Sequence, residues 1–441
     1  MLRIWKASGE EVAALPLEEV DDVRSLKQYL QNLCGVPRFR QRLIADGRAL
    51  EDDFRCLEAG DLQLILLSFR EASDAEAGEL SLAVREGRVA EVEEMLSRPL
   101  HPDSTSKEVW YTPLYAASHK GDVEMVSLLL EASADKERRC HGFTPLGIAC
   151  VLGRANVASV LLEAGVDKDK DCTWEGATPL GAAADHGREA TVRLMLEAGA
   201  DKEKVWGDGM TPLGAAASKG RIKAARLLLD AGAEKECRCQ GGATPLGLAS
   251  SRGFPNLVQM LLEAGADKDA CRRDGTTPLG VAARKGAACH MSIARLLLSA
   301  SADKDKPGRA DGAPPLGIAA SKGNAEMVYM LLDAAADLEK SWASGATPLG
   351  VACRYGRTTI VRLLLEANAD KDKPCRWDGG TPLGVAGRLG FTAIVKLLLD
   401  FRADKDKAWG LDGTTPLRDA IRRGQRDLVR LLSSANEKNT A

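Results

Sequence analysis

The feature that most constrains the fold is a tripeptide that recurs about every 33 residues. An unusual unit without this tripeptide precedes the series, because residues 80–87 align with residues 114–121. A fixed period of this length is typical of stacked structural units, so the 441 residues are not expected to form one globule. Thr-Pro-Leu begins at positions 112, 144, 178, 211, 244, 277, 347, 381 and 415, and Pro314-Pro315-Leu316 fills the one gap.

Each period predicts a turn followed by two helices. Thr is a good N-cap, and Pro is favoured at the first helical position. A Gly seven residues after each Leu suits the left-handed end of this first helix. Apolar residues at helical spacing, such as Val126, Leu129 and Leu130, predict a second helix. A Gly then lies two residues before the next Thr in nine of the ten copies, which predicts a tight turn, here called the finger.

Residues from about 79 to 435 resemble an array of about eleven ankyrin repeats, with the first and last units as caps. The resemblance implies an all-α solenoid with β-hairpin fingers, and protein binding through the fingers and first helices. One departure concerns the residue after Thr-Pro-Leu, which in the family is usually His. Eight copies have Gly there, and the others have Tyr115 and Arg418. Because Gly costs ~1 kcal/mol against Ala inside a helix, we expect looser first turns.

Residues 1–70 have no repeat and predict a separate, small α+β domain. Strand-like segments lie near 1–6, 11–17, 41–45 and 62–69, with a helix from about 22 to 34. Residues 35–52 and 62–66 resemble ubiquitin, which implies a β-grasp fold. The resemblance carries the family's interaction patch to Ile44, Gln63 and Ile65, although its third apolar member is replaced by Ala7 or Ser8. A β-grasp module without ubiquitin-pathway contacts is the alternative.

The remaining segments are short, and the composition excludes several classes of function. Residues 71–78 predict a linker and residues 436–441 a polar tail. Lys plus Arg is 60 against Asp plus Glu at 63, so the net charge of -3 gives no reason to expect specific nucleic-acid binding. The N-terminus has no apolar signal segment, and the eleven cysteines are an odd number. We therefore expect a reduced, monomeric protein in the cytoplasm, or in the nucleus, that does not span a membrane.

Catalytic, metal and cofactor motifs are missing from the sequence, so we expect no enzyme and no cofactor. Stacked helices lie ~8–10 Å apart, whereas a disulfide needs Cα atoms within ~7 Å, which predicts exposed small residues for the finger cysteines rather than a disulfide ladder. The Asp-Lys-Asp-Lys runs predict solvated loop starts. The finger cysteines are Cys140, Cys172, Cys237, Cys239, Cys271 and Cys375.

Six of the seven tryptophans fall in the fingers, where either partner binding or packing on the next finger would explain them. Finger tips are exposed in this architecture, and Trp is frequent at binding hot spots. We expect an aromatic row at Trp342, Trp377 and Trp409, with added donors from Arg354, Tyr355, Arg376 and Arg388, to bind a protein partner. The sequence thus predicts a non-enzymatic interaction scaffold. The alternative is an adaptor that links bound cargo to a ubiquitin-pathway receptor.

Overall fold

The computed structural model describes residues 1–55, 57–207, 209–308, 311–342, 344–375, 380–408 and 413–434. The chain divides into two compact units, residues 1–207 and 208–441. The predicted polar tail and the residues Arg376, Trp377 and Trp409 lie outside the described residues. Within the described residues, every helix is too short or too polar to cross a lipid bilayer.

The first unit begins with a five-stranded mixed sheet crossed by one helix. Its strand order is β2-β1-β5-β3-β4, with β1 and β5 parallel and the other pairs antiparallel. Leu26 and Leu30 of the helix are fully buried against Leu2, Ile4 and Leu43 of the sheet. This is the predicted β-grasp arrangement. The elements are β1 (Leu2–Lys6), β2 (Glu11–Leu15), α1 (Val23–Cys34), β3 (Gln41–Ala45), β4 (Arg48–Ala49) and β5 (Gly60–Leu66).

Eleven helix pairs follow in the described residues. The first helices are α2 (Asp74–Glu86), α4 (Pro113–Lys120), α6 (Pro145–Leu152), α8 (Pro179–His186), α10 (Pro212–Lys219), α12 (Pro245–Arg252), α14 (Pro278–Lys285), α16 (Pro315–Lys322), α18 (Pro348–Arg354), α20 (Pro382–Arg388) and α22 (Pro416–Arg422). The second helices are α3 (Val89–Ser97), α5 (Val123–Glu131), α7 (Ala155–Glu163), α9 (Glu189–Glu197), α11 (Ile222–Asp230), α13 (Pro255–Glu263), α15 (Ala288–Ser299), α17 (Ala325–Asp333), α19 (Thr358–Glu366), α21 (Thr392–Asp400) and α23 (Arg426–Ser434). The predicted fold class, a small α+β domain followed by a helical repeat array, is confirmed.

The helix ends form as the repeat predicts. In α8, the Thr178 hydroxyl accepts the backbone N–H of Gly181 at 3.1 Å, and Pro179 occupies the first turn. Gly187 ends that helix at φ 67°, a left-handed conformation that a side chain would strain. Pro314 replaces the capping Thr before α16, which therefore begins without a side-chain cap. Helix α15 has 12 residues, three more than each of the other second helices in the described residues.

Several of the described fingers are narrow loops closed by a backbone hydrogen bond. The Cys172 N–H donates to the carbonyl of Ala177 at 2.9 Å, and the Trp342 N–H donates to that of Ala346 at 3.0 Å. Cys140 and Phe143 form an antiparallel bridge. The predicted hairpins are thus very short, and these three hydrogen bonds enclose two to four residues each.

The Asp-Lys-Asp-Lys runs are exposed or half-buried loop segments, as predicted, and they also join neighbouring repeats. The backbone N–H of Asp135 donates to the Asp103 carboxylate at 2.9 Å, and the N–H of Asp337 donates to that of Asp305 at 2.8 Å. Lys306 and Lys407 of these runs donate to backbone carbonyls of the preceding repeat, at 2.7 and 2.8 Å, whereas Lys235 donates to the Ala264 carbonyl of the following repeat at 2.8 Å. We call this series of contacts the carboxylate ladder. It fixes the spacing of neighbouring units without using apolar surface.

The segment predicted as a linker, residues 71–78, is partly helical. Helix α2 begins at Asp74, and Ser73 and Glu76 form a reciprocal capping box at its start. Arg70 pairs with Leu100 as a parallel bridge and forms a salt bridge of 2.7 Å with Glu76. The sequence order Ser-x-x-Glu before an apolar run is the capping signal that explains this correction.

The β-grasp domain docks on the first two repeats through Arg38. This side chain is 1% exposed and forms salt bridges with Glu93 of α3 at 2.7 Å, with Glu131 of α5 at 2.9 Å and with Asp52 at 2.7 Å. Burial disfavours the charged form of Arg38, but the hydrogen bonds that it donates to Glu131 and Glu93 raise its pKa. The domain is therefore packed against the repeats and is not connected to them by a flexible tether.

Candidate functional surfaces

The three residues of the predicted ubiquitin-like patch lie together on the outer face of the sheet. Ile44 of β3 is the register partner of Gln63 of β5, and Ile65 follows two residues along β5. Their inward neighbours Leu43 and Leu64 are buried in the core. Ile44 and Ile65 are half-buried and Gln63 is exposed. The helix that docks on the repeats covers the opposite face of this sheet, so the patch faces away from α1.

Trp5 enlarges this patch, and the sequence prediction omitted it. It is the register partner of Gln63 across the parallel β1–β5 pair, and its indole N–H donates to the Asp61 carboxylate at 3.2 Å. The signal that identifies Trp5 is strand alternation: the buried Leu2 and Ile4 place the odd positions of β1 on the outer face. Trp5 thus adds an aromatic side chain to the outer face that carries Gln63, while the position of the third apolar patch residue holds Ala7 or Ser8.

Two of the finger tryptophans pack into space left by glycines. A Cβ built on Gly181 would lie 2.4 Å from the ring of Trp206, and one on Gly317 would lie 2.4 Å from Nε1 of Trp342. Both glycines occupy the position after Thr-Pro-Leu, where looser first turns are expected. The structure instead fills these positions with a side chain from the next finger. Trp206 and Trp342 therefore contribute to packing between repeats.

Trp342 also lines a small surface cleft in the second unit. Arg354 and Tyr355 line the same cleft, which has a volume of about 120 Å³. Tyr355 is 50% exposed, whereas Nε1 of Trp342 is buried. Arg388, at the end of α20, is half-buried. The structure thus brings three of the seven predicted partner-binding residues together.

Among the tryptophans that the structure describes, the two most exposed lie on fingers of the first unit. Trp110 is 80% exposed and Trp174 is 71% exposed. Between them, the Tyr111, Tyr115 and His141 rings lie within 6.4 Å of one another by their centroids. We call these five residues the N-terminal aromatic surface. Large side chains at the exposure of Trp110 and Trp174 mark candidate binding sites. Four of the five residues lie on three successive fingers, whereas Tyr115 is buried on α4.

Comparison with known proteins gives the family of the repeats. A family model described as ankyrin repeats matches residues 80–172, 165–239, 232–308, 288–375 and 369–441, which is well over half of the chain. The chain belongs to the ankyrin-repeat family. No curated protein matches this chain. Among solved structures, the ankyrin repeat domain of Bcl-3, described as a unique member of the IkappaB protein family, has 30% sequence identity and a TM-score of 0.44 over 47% of this chain and 93% of its own.

The cysteines of the ankyrin fingers are mostly buried, which corrects the prediction of exposed small residues. Cys140, Cys172, Cys239 and Cys375 are each at most 5% exposed, and Cys237 and Cys271 are half-buried. A Cβ on Gly350 would lie 2.2 Å from Cβ of Cys375, so the thiols use the same glycine gaps as the tryptophans. Burial raises the pKa of the Cys172 thiol well above its usual value. Such thiols are small packing groups.

Proposed function

We propose that this protein is a non-enzymatic scaffold that binds a protein partner through the N-terminal aromatic surface. The ankyrin family supports a role in protein binding. The observation that carries the proposal is the exposure of Trp110 and Trp174, and the finger of Trp174 is closed by the backbone hydrogen bond between Cys172 and Ala177. Exposed aromatic side chains have few rotatable bonds and lose little conformational entropy on binding. They are therefore well suited to contact a protein partner.

The partner that fits is an extended, acidic segment of a protein. His119 and Lys120 are exposed at the end of α4, one turn beyond Tyr115. Arg154 donates to the carbonyl of His119 at 3.3 Å and adds a cation to the same edge. An acidic segment would meet the positive charges of Lys120 and Arg154 while its apolar side chains contact Trp110 and Trp174.

Selection from a random peptide library displayed on phage, with the full chain as bait, tests this proposal. Trp110→Ala with Trp174→Ala should reduce the affinity of selected peptides at least tenfold while the circular dichroism is unchanged. Tyr329→Ala is the matched control, because Tyr329 is 67% exposed but lies on a second helix. Equal binding by the double variant and the control would contradict the proposal. Loss of binding in Trp342→Ala with Tyr355→Ala would instead support the cleft in the second unit.

The second candidate function is an adaptor that contacts a ubiquitin-pathway receptor through Ile44, Gln63 and Ile65. The shared outer face of these residues supports it, because β3 and β5 bring them together and α1 docks on the opposite side. A ubiquitin-interacting peptide should bind the full chain, and Ile44→Ala should weaken binding at least tenfold. Tyr29→Ala, at an exposed apolar position of α1, serves as the control. Absence of binding by the unmodified chain would leave the β-grasp domain with its docking role.

A further inference from the structure

Two cysteines in one finger of the second unit differ from the other finger cysteines. Sγ of Cys237 and Sγ of Cys239 lie 3.8 Å apart, and Oγ1 of Thr211 lies 3.1 Å from the first and 3.6 Å from the second. Cys239 is buried, whereas Cys237 is half-buried and is followed by the exposed Arg238. In the repeat pattern, Cys237 replaces the second Lys of the carboxylate ladder, so the second thiol is specific to this repeat.

We propose that Cys237 and Cys239 form a redox-active dithiol that hydrogen peroxide oxidises to an intramolecular disulfide. Residues two apart in an extended segment have side chains on the same side and Cα atoms about 6.6 Å apart, which a disulfide can span. Cys239 has φ −85° and ψ −159°, which is extended backbone. The two sulfur atoms lie 3.8 Å apart, so a movement of about 1.8 Å brings them to the length of a disulfide bond.

The electrostatics of the pair favour this chemistry. The hydrogen bond from Cys237 lowers the pKa of the Cys239 thiol to about 6, with further lowering by Thr211 and with burial opposing it. Cys172 lies 28 residues after its capping Thr, as Cys239 does, but it has no thiol two residues earlier, and burial raises its pKa. At neutral pH the pair therefore carries a thiolate, which is the form that reacts with peroxide.

The reaction balances with peroxide as the oxidant. The thiolate attacks one peroxide oxygen and breaks the O–O bond, and the product is a sulfenic acid and a hydroxide that leaves as water after taking a proton. The second thiol then attacks the sulfenic sulfur, the S–S bond forms, and the S–O bond breaks to release a second water. The two sulfur atoms supply the two electrons that reduce the peroxide. Peroxide reaches the pair beside Cys237, the thiol nearer to solvent.

Disulfide formation would alter the contact between this finger and α10. Sγ of Cys239 fills the gap at Gly214, where a Cβ would lie 2.3 Å from it, and Thr211 caps α10 by accepting the Gly214 N–H at 3.1 Å. Closing the 3.8 Å separation must therefore shift at least one sulfur atom relative to Thr211 and Gly214. Within the described residues, no cluster of three His, Cys, Asp or Glu that could hold a metal is present, so the pair is not part of such a site.

Trypsin cleavage provides a direct test, because Arg238 separates the two cysteines. The full, reduced chain is treated with hydrogen peroxide at neutral pH, its remaining thiols are alkylated in denaturant, and the digest is analysed by mass spectrometry. We expect peptides 236–238 and 239–252 to be joined by a disulfide that dithiothreitol reverses. Unlinked, alkylated peptides after excess peroxide would overturn the proposal, as would oxidation of both residues to sulfinic acid without a disulfide.

Variants separate a reactive pair from two independent thiols. Cys237→Ser should slow peroxide oxidation of Cys239 at least tenfold, and Cys172→Ser should leave that rate unchanged. Equal rates for Cys239 in the unmodified chain and in Cys237→Ser would refute the coupling. Should Cys237→Ser fail to fold, the pH dependence of alkylation in the unmodified chain gives the same answer. The rate at this pair should rise through a midpoint near pH 6, and a midpoint at the ordinary pKa of cysteine would argue against the proposal.

Discussion

At the scale of single residues, Arg38 carries the contact between the β-grasp domain and the repeats. Its guanidinium is buried and pairs with carboxylates of two helices and of its own domain. A buried ion pair gives little net stability compared with an apolar core, but removing one partner leaves uncompensated charge. Arg38 therefore specifies how the domain docks more than it adds to the free energy of unfolding.

Replacement of Arg38 should accordingly be costly. Arg38→Ala leaves Glu93 and Glu131 without this counter-ion, and we expect a loss of about 3 kcal/mol in the free energy of unfolding of the first unit. Urea unfolding followed by circular dichroism measures it. Arg24→Ala removes the neighbouring, more exposed salt bridge to Glu93 and should cost less than about 1 kcal/mol. Equal effects of the two variants would show that the buried position of Arg38 has no special role.

The pH dependence of stability should show the contact between Arg70 and Glu76. The hydrogen bond from Arg70 lowers the pKa of Glu76 to about 2, and the bonds from Ser73 lower it further. Because the folded pKa lies below the ordinary value, the contribution of Glu76 is complete above about pH 4.5 and is lost as the pH falls towards 2. The difference in stability between the unmodified chain and Glu76→Gln should therefore shrink over this range, as measured by urea unfolding.

Arg70→Met provides the control for that measurement. It removes the largest cause of the lowered pKa, so most of the pH-dependent difference should disappear when Glu76→Gln is compared in this background. A difference that stays constant from pH 5 to about pH 2 would contradict the assignment. The segment between the β-grasp domain and α2 would then be held by its backbone bridge.

At the scale of structural elements, the glycine after Thr-Pro-Leu is explained by the finger of the next repeat. Gly181→Ala improves the helix propensity of this position by ~1 kcal/mol, but the new Cβ forces the ring of Trp206 to move. We therefore expect a net destabilisation of about 1–2 kcal/mol. Gly247→Ala is the matched control, since its Cβ would meet nothing closer than 3.6 Å and should stabilise the chain. Thermal unfolding of the two variants gives the comparison. In a Trp206→Ala background, Gly181→Ala should no longer destabilise.

The sequence predicted elements better than it predicted contacts between them. Thr-Pro caps, left-handed glycines and strand alternation act over a few residues, so they located the helix pairs and the outer face that carries Ile44. The partners of Arg38 lie 55 and 93 residues away along the chain, beyond any local signal. Likewise, a row of glycines does not tell which neighbouring side chain fills the space. Trp342 was predicted to be exposed from its finger position, but its side chain packs on Gly317 and is half-buried.

At the scale of the whole molecule, each repeat interacts chiefly with its neighbours. Deletion of residues 212–244 removes one complete period and joins Thr211 to Pro245, so the next helix keeps a Thr cap. We expect a folded, shorter chain whose helical circular dichroism falls in proportion to the residues removed. Removal of the first helix alone, residues 212–219, leaves the second helix α11 without its partner and should cause a much larger loss. Collapse of all helicity in the full-period deletion would argue against nearest-neighbour stability.

The carboxylate ladder also gives the array a direction. In the described contacts of this ladder, the acceptor carboxylate belongs to one repeat and the donor N–H to the following repeat. An example is the pair Asp372 and Asp404, at 2.7 Å. A unit inside the series carries both halves of this contact. Duplication or loss of a whole period during evolution therefore regenerates a complete rung at the new junction, wherever within the period the exchange takes place. Change in length by whole units is thus tolerated, whereas an exchange out of phase leaves an acceptor without its donor.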